Sequence, residues 1–389
     1  MRRIVVLGAG TAGTMVVNKL RPQLPRDEWS ITVVDSEEMH YYQPGFLFLP
    51  FGSYRPRDVV RPRRPSIAAG VDLVLGTIDR VLPDEKDVLL ADGSHLPYDY
   101  LVIATGTTPR PEETPGMAEG MGTTVHEFYT YAGANALATR LADWPGGRLV
   151  VHVTEMPIKC PVAPLEFAFL ADAFFTDRGM RDMVQISYVT PLPGAFTKPV
   201  AAEHLGGMLE QRHIRLEPDF VVESVDAEAG LLTSFDEREI PFDLLVTVPV
   251  NMGADYVARS GLGDELNFVP VDRHTLQSKA HDTIFAIGDA TDVPASKAGS
   301  VAHFEAESLV PNLLSHIHGR PMVESFDGHA NCFIETGHGK GLLIDFSYDV
   351  EPLPGVYPLP VVGPLRLLRE SRLNHLGKLA FRWIYWHLL

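Results

Sequence analysis

Ile4-Val5-Val6-Leu7-Gly8-Ala9-Gly10-Thr11-Ala12-Gly13 is the stretch that decides the fold. Four apolar residues in a row suit a strand buried on both faces, the kind found in parallel sheets. The three glycines then form G-x-G-x-x-G, and Met15, Val16, Val17 and Leu20 continue as a helix that ends near Pro22. Gly8 serves the tight turn, Gly10 leaves room for a pyrophosphate to reach the backbone, and Gly13 lets helix and strand pack closely. The helix N-terminus adds unpaired N–H groups and the positive end of the helix dipole. Ile31 to Val34 form the next strand, and Asp35 closes it with a carboxylate placed to accept from ribose hydroxyls. A strand–turn–helix–strand unit that binds a dinucleotide follows, with Ala12 inside its turn.

Downstream, apolar runs alternate with helical ones. Val71–Leu75, Asp79–Leu82, Asp87–Leu90 and Tyr100–Ile103 read as strands, with Asp92-Gly93 as a hairpin turn. Tyr41 to Pro65 is rich in Pro, Gly and aromatics and reads as a long loop of the sort that lines sites. Thr107 to Gly116 reads as a linker. A second strand-and-helix set then runs through Arg148–Val153, Leu165–Phe175, Gln185–Thr190, Ala201–Gln211 and Leu244–Val248, and Ile284–Ile287 is a later strand. The alternation predicts an α/β fold with parallel sheets: two Rossmann-like dinucleotide-binding domains plus a C-terminal amphipathic, membrane-associating region. The expected boundaries are 1–117 and 255–320 for the two parts of the first domain, 118–254 for the second, and 321–389 for the C-terminal region.

Composition narrows the function classes. The chain has 389 residues and a formal net charge of -17, which disfavours nucleic acid as a partner. Its two cysteines, Cys160 and Cys332, are too few and too far apart for a disulfide framework or a thiolate zinc site. His303, His329 and His338 lack ligand spacing, so no metal is expected. Met1-Arg2-Arg3 leads straight into the first strand and reads as no signal peptide. No run reaches the roughly 20 apolar residues that span a bilayer.

The glycine fingerprint does not separate NAD from FAD, but two later strand ends do. Ala104-Thr105-Gly106 closes one, and Thr283-Ile284-Phe285-Ala286-Ile287-Gly288-Asp289-Ala290 closes another. Together they resemble the flavin-dependent pyridine nucleotide–disulfide oxidoreductase superfamily, which implies FAD, with Asp289 on its ribityl chain. Pro44 and Gly45 from the long loop, Ile78, and Lys297 before a helix join the expected FAD-binding set; Lys297 could offset charge on reduced flavin or be an ordinary surface lysine.

A second glycine motif is absent. The strand Leu149–Val153 leads instead into Thr154-Glu155-Met156-Pro157-Ile158-Lys159-Cys160-Pro161, so NAD(P)H is not the expected donor. The Cys-Pro-x-x-Pro-x-Glu pattern ending at Glu166, Lys297-Ala298-Gly299 and Asn331-Cys332-Phe333 resemble the sulfide:quinone oxidoreductases and, as cousins, the flavin subunits of flavocytochrome c sulfide dehydrogenases. The resemblance implies that Cys160 and Cys332 meet at the flavin face as a redox pair, taking electrons from sulfide through FAD to quinone and leaving zero-valent sulfur or polysulfide. Each cysteine alone would read as a small buried hydrophobe. Glu166 reads either as a proton acceptor beside Cys160 or as a solvent-facing helix glutamate. The resemblance departs at Glu127-Phe128-Tyr129, near where many quinone-linked members carry a third cysteine. A thioether to FAD therefore lacks its residue.

After Pro364, Arg366, Arg369, Arg372, Lys378 and Arg382 accompany Leu365, Leu368, Leu376, Leu379, Trp383 and Trp386 at roughly helical spacing. This reads as an interfacial helix at the cell membrane, or alternatively as a core or dimer-interface helix. Gly299, Phe333 and Phe346 are expected on the quinone side, and a homo-oligomer is left open. The rival functions are a cytochrome-linked sulfide dehydrogenase, a type-II NADH:quinone oxidoreductase, and a non-catalytic flavin-binding sulfur sensor.

Overall fold

The computed structural model describes residues 1–358 and 363–388. Residues 359–362 and 389 of the expected C-terminal region thus lie outside the described residues.

Continuous apolar runs produce two parallel five-stranded sheets. The first has the spatial order Ile284–Ala286, Tyr100–Ile103, Arg2–Leu7, Trp29–Asp35 and Asp72–Leu75. Ile4, Val6, Leu7, Val33 and Leu101 are fully buried, as strands covered on both faces require. The late strand Ile284–Ala286 completes a sheet begun at the N-terminus, and helix Gly299–Ile317 packs on helix Thr11–Leu20. The second sheet runs Val125–His126, Leu244–Val248, Gly147–Val153, Val184–Val189 and Arg215–Glu217. The stretch expected as a linker contains Thr108–Arg110, which pairs antiparallel with Val250–Met252 and joins the two halves.

The glycine turn is built by contact. Gly8 has φ +92°, and a Cβ there would fall 2.5 Å from the Ala104 carbonyl oxygen. A Cβ on Gly13 would fall 1.8 Å from the Gly8 oxygen, whereas one on Gly10 would meet no atom within 4 Å. Gly8 and Gly13 therefore hold strand and helix together, and Gly10 keeps a surface open.

A hairpin of Ala330–Gly337 and Lys340–Phe346 places Cys332 opposite Ile344. It packs on helix Ala163–Asp177, which follows Cys160, and on helix Arg372–Leu388. The C-terminal reading needs two corrections. Leu365–Leu367 is a strand of the hairpin sheet, and Leu368 is buried with φ +48°, so the helix starts only at Arg372. Leu379 and Trp386 also pack inward. The long loop is more ordered than its composition suggested: Met39–Tyr41 pairs with Val60–Pro62, and short 3₁₀ turns fill the interval.

Gly13→Ala should lower stability by about 1–3 kcal/mol through overpacking, measured by chemical denaturation. Gly10→Ala should leave that midpoint unchanged and reduce only the flavin retained on purification; equal midpoints for the two variants would contradict the contact argument.

Candidate active site

A cavity of about 630 Å³ lies where the strand ends of the first sheet, the Cys160 loop, the Cys332 hairpin and the C-terminal helix converge. Its size suits a cofactor-class ligand. Gly8, Gly10 and Ala12 line it from the N-terminal turn, with Asp35, Pro44, Ile78 and Ala104-Thr105-Gly106 further along. Gly288, Asp289, Lys297 and Gly299 line it from the late strand and helix, and Cys160, Glu166, Cys332 and Phe333 complete the wall. Three expected residues stand elsewhere. Gly13 and Gly45 lie behind the wall, the latter packed so that a Cβ would fall 2.4 Å from Val59. Phe346 belongs to the second strand of the hairpin and packs its ring against Phe196, and it is not part of the lining.

The cavity fits a dinucleotide at its N-terminal end. Thr11, and Gly299 with Ser300, begin two helices whose N-termini border it, and the open flank of Gly10 faces it. Asp35 is already organised: its Oδ2 accepts the Ala9 N–H at 2.8 Å, and its Oδ1 lies 3.1 Å from the Arg63 guanidinium. Arg63, which sequence reasoning missed, is buried and also donates to the Ala9 carbonyl. Burial pushes the Asp289 carboxyl up, while Lys297 and Lys159 act to lower it. Lys297 is no surface lysine. Its ammonium is buried, donates to the Thr291 carbonyl at 2.7 Å, and sits 4.2 Å from the Phe268 ring centroid.

The two cysteines share this wall although 172 positions apart in sequence (332 minus 160). Cys160 has φ +50°, a conformation that costs a non-glycine residue of order 1–3 kcal/mol. Its N–H donates to the Lys297 carbonyl at 2.5 Å, and its carbonyl accepts from Tyr129 at 3.1 Å. Burial raises both thiols, with Glu166 adding to it and Lys378 opposing; Cys332 reaches about 12.

Glu166 settles as a buried residue, not a solvent-facing one. It is 0% exposed and forms an ion pair with Lys378. The same Oε1 accepts the Glu335 N–H at 2.6 Å, and Lys378 also donates to the Phe333 carbonyl at 3.0 Å. Burial pushes the Glu166 carboxyl up against the pull of Lys378. Tyr385 extends the closure: its hydroxyl lies 2.8 Å from Thr11 Oγ1 and 2.6 Å from His40 Nε2. In the sequence Lys378 reads only as part of a basic tail, and Tyr385 as one more aromatic beside it. Yet Asn374, Lys378, Phe381 and Tyr385 repeat at helical spacing, and that spacing was the signal for an inward face.

Among the described residues, no group of His, Cys, Asp or Glu could hold a metal ion.

A family profile described as "Pyridine nucleotide-disulphide oxidoreductase" matches residues 2–152. The mitochondrial sulfide:quinone oxidoreductase of Dictyostelium discoideum is 28% identical over 357 residues, spanning 90% of this chain and 78% of its own. The protein of the same name from Schizosaccharomyces pombe is 26% identical over 416 residues, spanning 99% and 89%. The crystal structure of the Aquifex aeolicus sulfide:quinone oxidoreductase superimposes with a TM-score of 0.82 at 20% identity, over 99% of this chain and 91% of that one, and shows the shared fold. The resemblance carried by the cysteine motifs is thus borne out, and with it FAD as cofactor and oxidoreduction as the class of activity.

Glu305, buried beneath the Gly288 N–H it accepts at 2.5 Å, has its carboxyl pushed up by burial from 4.5 to about 7. A raised acid favours the folded state while protonated, so stability falls as pH rises from 4.5 to about 7. Glu305→Gln should flatten that segment of the stability–pH curve in the flavin-free protein; an unchanged slope in thermal melts would contradict it.

Proposed function

We propose that this chain, alike over nearly its full length to the sulfide:quinone oxidoreductases, oxidises sulfide to zero-valent sulfur and passes two electrons through FAD to quinone. One observation carries the reading: Cys160 and Cys332, from distant parts of the chain, line the same cavity as Gly10, Asp35 and Asp289. Residues 1–117 and 255–320 would form the FAD-binding domain, 118–254 the second Rossmann-like domain, and 321–389 the quinone and membrane side.

Hydrosulfide attacks the oxidised Cys160–Cys332 pair, breaking the S–S bond and leaving a persulfide on one sulfur and a thiolate on the other. The thiolate is the form that passes the electron pair on, and as the pair leaves, the Cys160–Cys332 bond re-forms and the outer sulfur of the persulfide departs as zero-valent sulfur. Bound FAD supplies the two-electron acceptor at this wall. Lys378 favours the thiolate on either cysteine, because its ammonium opposes the burial that raises both thiols. Glu166 keeps that ammonium in place and takes up protons released beside Cys160. Gly10, Asp35 with Arg63, and Asp289 with Lys297 hold the cofactor at its phosphates, ribose and ribityl chain. The strand Gly147–Val153 enters the Cys160 loop rather than a glycine turn, which leaves no cradle for NAD(P)H. Gly299 and Phe333 would face the quinone.

Leu373, Leu376, Trp383 and Ile384 form an exposed apolar face on the C-terminal helix, with Trp383 60% exposed. Such a face suits a lipid interface, where hydrophobic quinone resides. Among the described residues no helix is long and apolar enough to cross a membrane.

Anaerobic stopped-flow on the holoenzyme should show flavin bleaching by sulfide, none by NADH, and recovery on adding quinone. Cys160→Ser and Cys332→Ser should each slow sulfide bleaching by at least about 100-fold, the scale of losing a nucleophile, with FAD retained. Bleaching by NADH alone, or full activity in either variant, would overturn the reading. Leu376→Glu with Trp383→Glu should release the protein from anionic vesicles while leaving flavin content intact; unchanged co-sedimentation would point to a packing role for this face.

A further inference from the structure

A second buried carboxylate stands beside the Glu166–Lys378 pair, and the pair alone does not need it. Glu335 is 1% exposed, and its backbone N–H is the donor to Glu166. Its carboxylate oxygens lie 3.0 and 2.9 Å from His375 Nδ1. The His375 side chain is 24% exposed, so an imaginary path from water reaches the buried carboxylate through one imidazole. Beyond Glu335 lie Lys378, which feels both carboxylates, and then the cavity, which Lys378 and Glu166 line. Glu166 Oε2 is buried and has no hydrogen-bond partner among the described residues.

Charge counting explains the arrangement. Two carboxylates around one ammonium leave a net negative charge in a dry site, and desolvation disfavours that state. Burial accordingly raises both carboxyls. The cluster is stable when it holds one additional proton.

We propose that His375 and Glu335 form a proton path from bulk water to the Glu166–Lys378 pair, delivering the proton that quinone reduction consumes. The inference rests on the sulfide-to-quinone reading. The balance is HS⁻ + quinone + H⁺ → S⁰ + quinol: sulfur loses two electrons, quinone gains them with two protons, and only one of those protons comes from hydrosulfide. The other is drawn from water. It passes to His375, then to Glu335, then to the Glu166–Lys378 pair, and from there into the cavity.

The charged and titratable groups around Glu335 come from every packed element. Glu166 belongs to helix Ala163–Asp177, and Lys378, His375 and Arg382 to the C-terminal helix. Tyr54, from the long loop, lies in the field of Arg382, Lys378 and Glu335, with the Arg382 guanidinium 4.3 Å from its ring centroid. Arg212 donates to the neighbouring Thr336 carbonyl and pairs with Glu370 at 2.8 Å. Cys160 and Cys332 face Glu166 and Lys378 from the cavity. Among the described groups, only His375 both touches the Glu335 carboxylate and reaches water. It is a positioning and relay residue, and its role is separable from packing.

The test measures the two half-reactions of the holoenzyme apart. Sulfide bleaching reads the first. Mixing dithionite-reduced enzyme with a short-chain quinone, from acid to alkaline pH and in H₂O and D₂O, reads the second. His375→Ala should slow reoxidation about 100-fold at alkaline pH, the low end for a lost proton-transfer group, and leave bleaching by sulfide near the wild-type rate. Added imidazole should restore it. Glu335→Gln, which keeps size and polarity, should slow reoxidation without rescue by imidazole. Reoxidation at the wild-type rate in both variants would overturn the path, as would equal losses in both half-reactions without rescue. A wild type that sulfide fails to bleach would overturn the proposed substrate instead, since the reoxidation arm starts from dithionite. A wild type that quinone fails to reoxidise would overturn both.

Discussion

The Glu166–Lys378 ion pair ties together three parts of the chain at this wall. Glu166 follows the Cys160 loop, Lys378 belongs to the C-terminal helix, and between them the hairpin contributes the Phe333 carbonyl and Glu335 N–H. Burying such a pair is not a stability gain in itself, because desolvating both ions offsets their attraction. Removing one partner is a different matter: it leaves a bare charge and costs about 3–5 kcal/mol. The pair therefore acts as a specification. Other placements of the C-terminal helix would strand Glu166 inside an apolar core, so the helix docks where it closes the cavity.

The same wall explains where the sequence was legible. Gly8, Gly10, Gly13 and Asp35 were readable because their work is local: a turn, a close approach and a strand end fall within 28 consecutive residues (35 minus 8, inclusive). Parallel strands such as Tyr100–Ile103 were readable because burial on both faces writes an unbroken apolar run. Asp289 and the cysteines came through motif resemblance, since nothing near Cys332 in sequence says that Cys160 is its neighbour. Lys378 was hidden for a related reason. Its partner is 212 positions away, and its own surroundings are rich in arginine, so it blended into a basic surface. Phe346 lies off the lining, which was illegible for the opposite cause: a single aromatic near a cysteine motif carries no sign of which hairpin strand reaches the cavity.

The second parallel sheet shows how a similar scaffold can carry a different connection. Its central strand Gly147–Val153 is as buried as that of the first half, and the helix Ala163–Asp177 follows as the architecture demands. What differs is the connection. Instead of glycines that admit a phosphate, the chain places Cys160 at φ +50° and ties its N–H to Lys297 of the first half. A non-glycine residue persists in that region only when its surroundings fix it. Here the surroundings are a cross-domain backbone bond and the Tyr129 hydroxyl, so the strain serves to aim a thiol at the cavity.

The C-terminal helix joins these threads through its two faces. Inward, Lys378, Phe381 and Tyr385 close the cavity, with Tyr385 reaching Thr11 of the glycine turn. Outward, Leu373, Leu376, Trp383 and Ile384 stand exposed on a chain whose net charge is -17. An acidic protein is repelled by an anionic bilayer, so on the proposed reading attachment must come from apolar burial helped by local arginines such as Arg372 and Arg369. On that reading the helix would seat at the lipid surface by one face while it roofs the cavity by the other. Its register is fixed by a buried ion pair on the same cavity wall as the two cysteines, so the orientation of the exposed apolar face follows from the electrostatics of that wall.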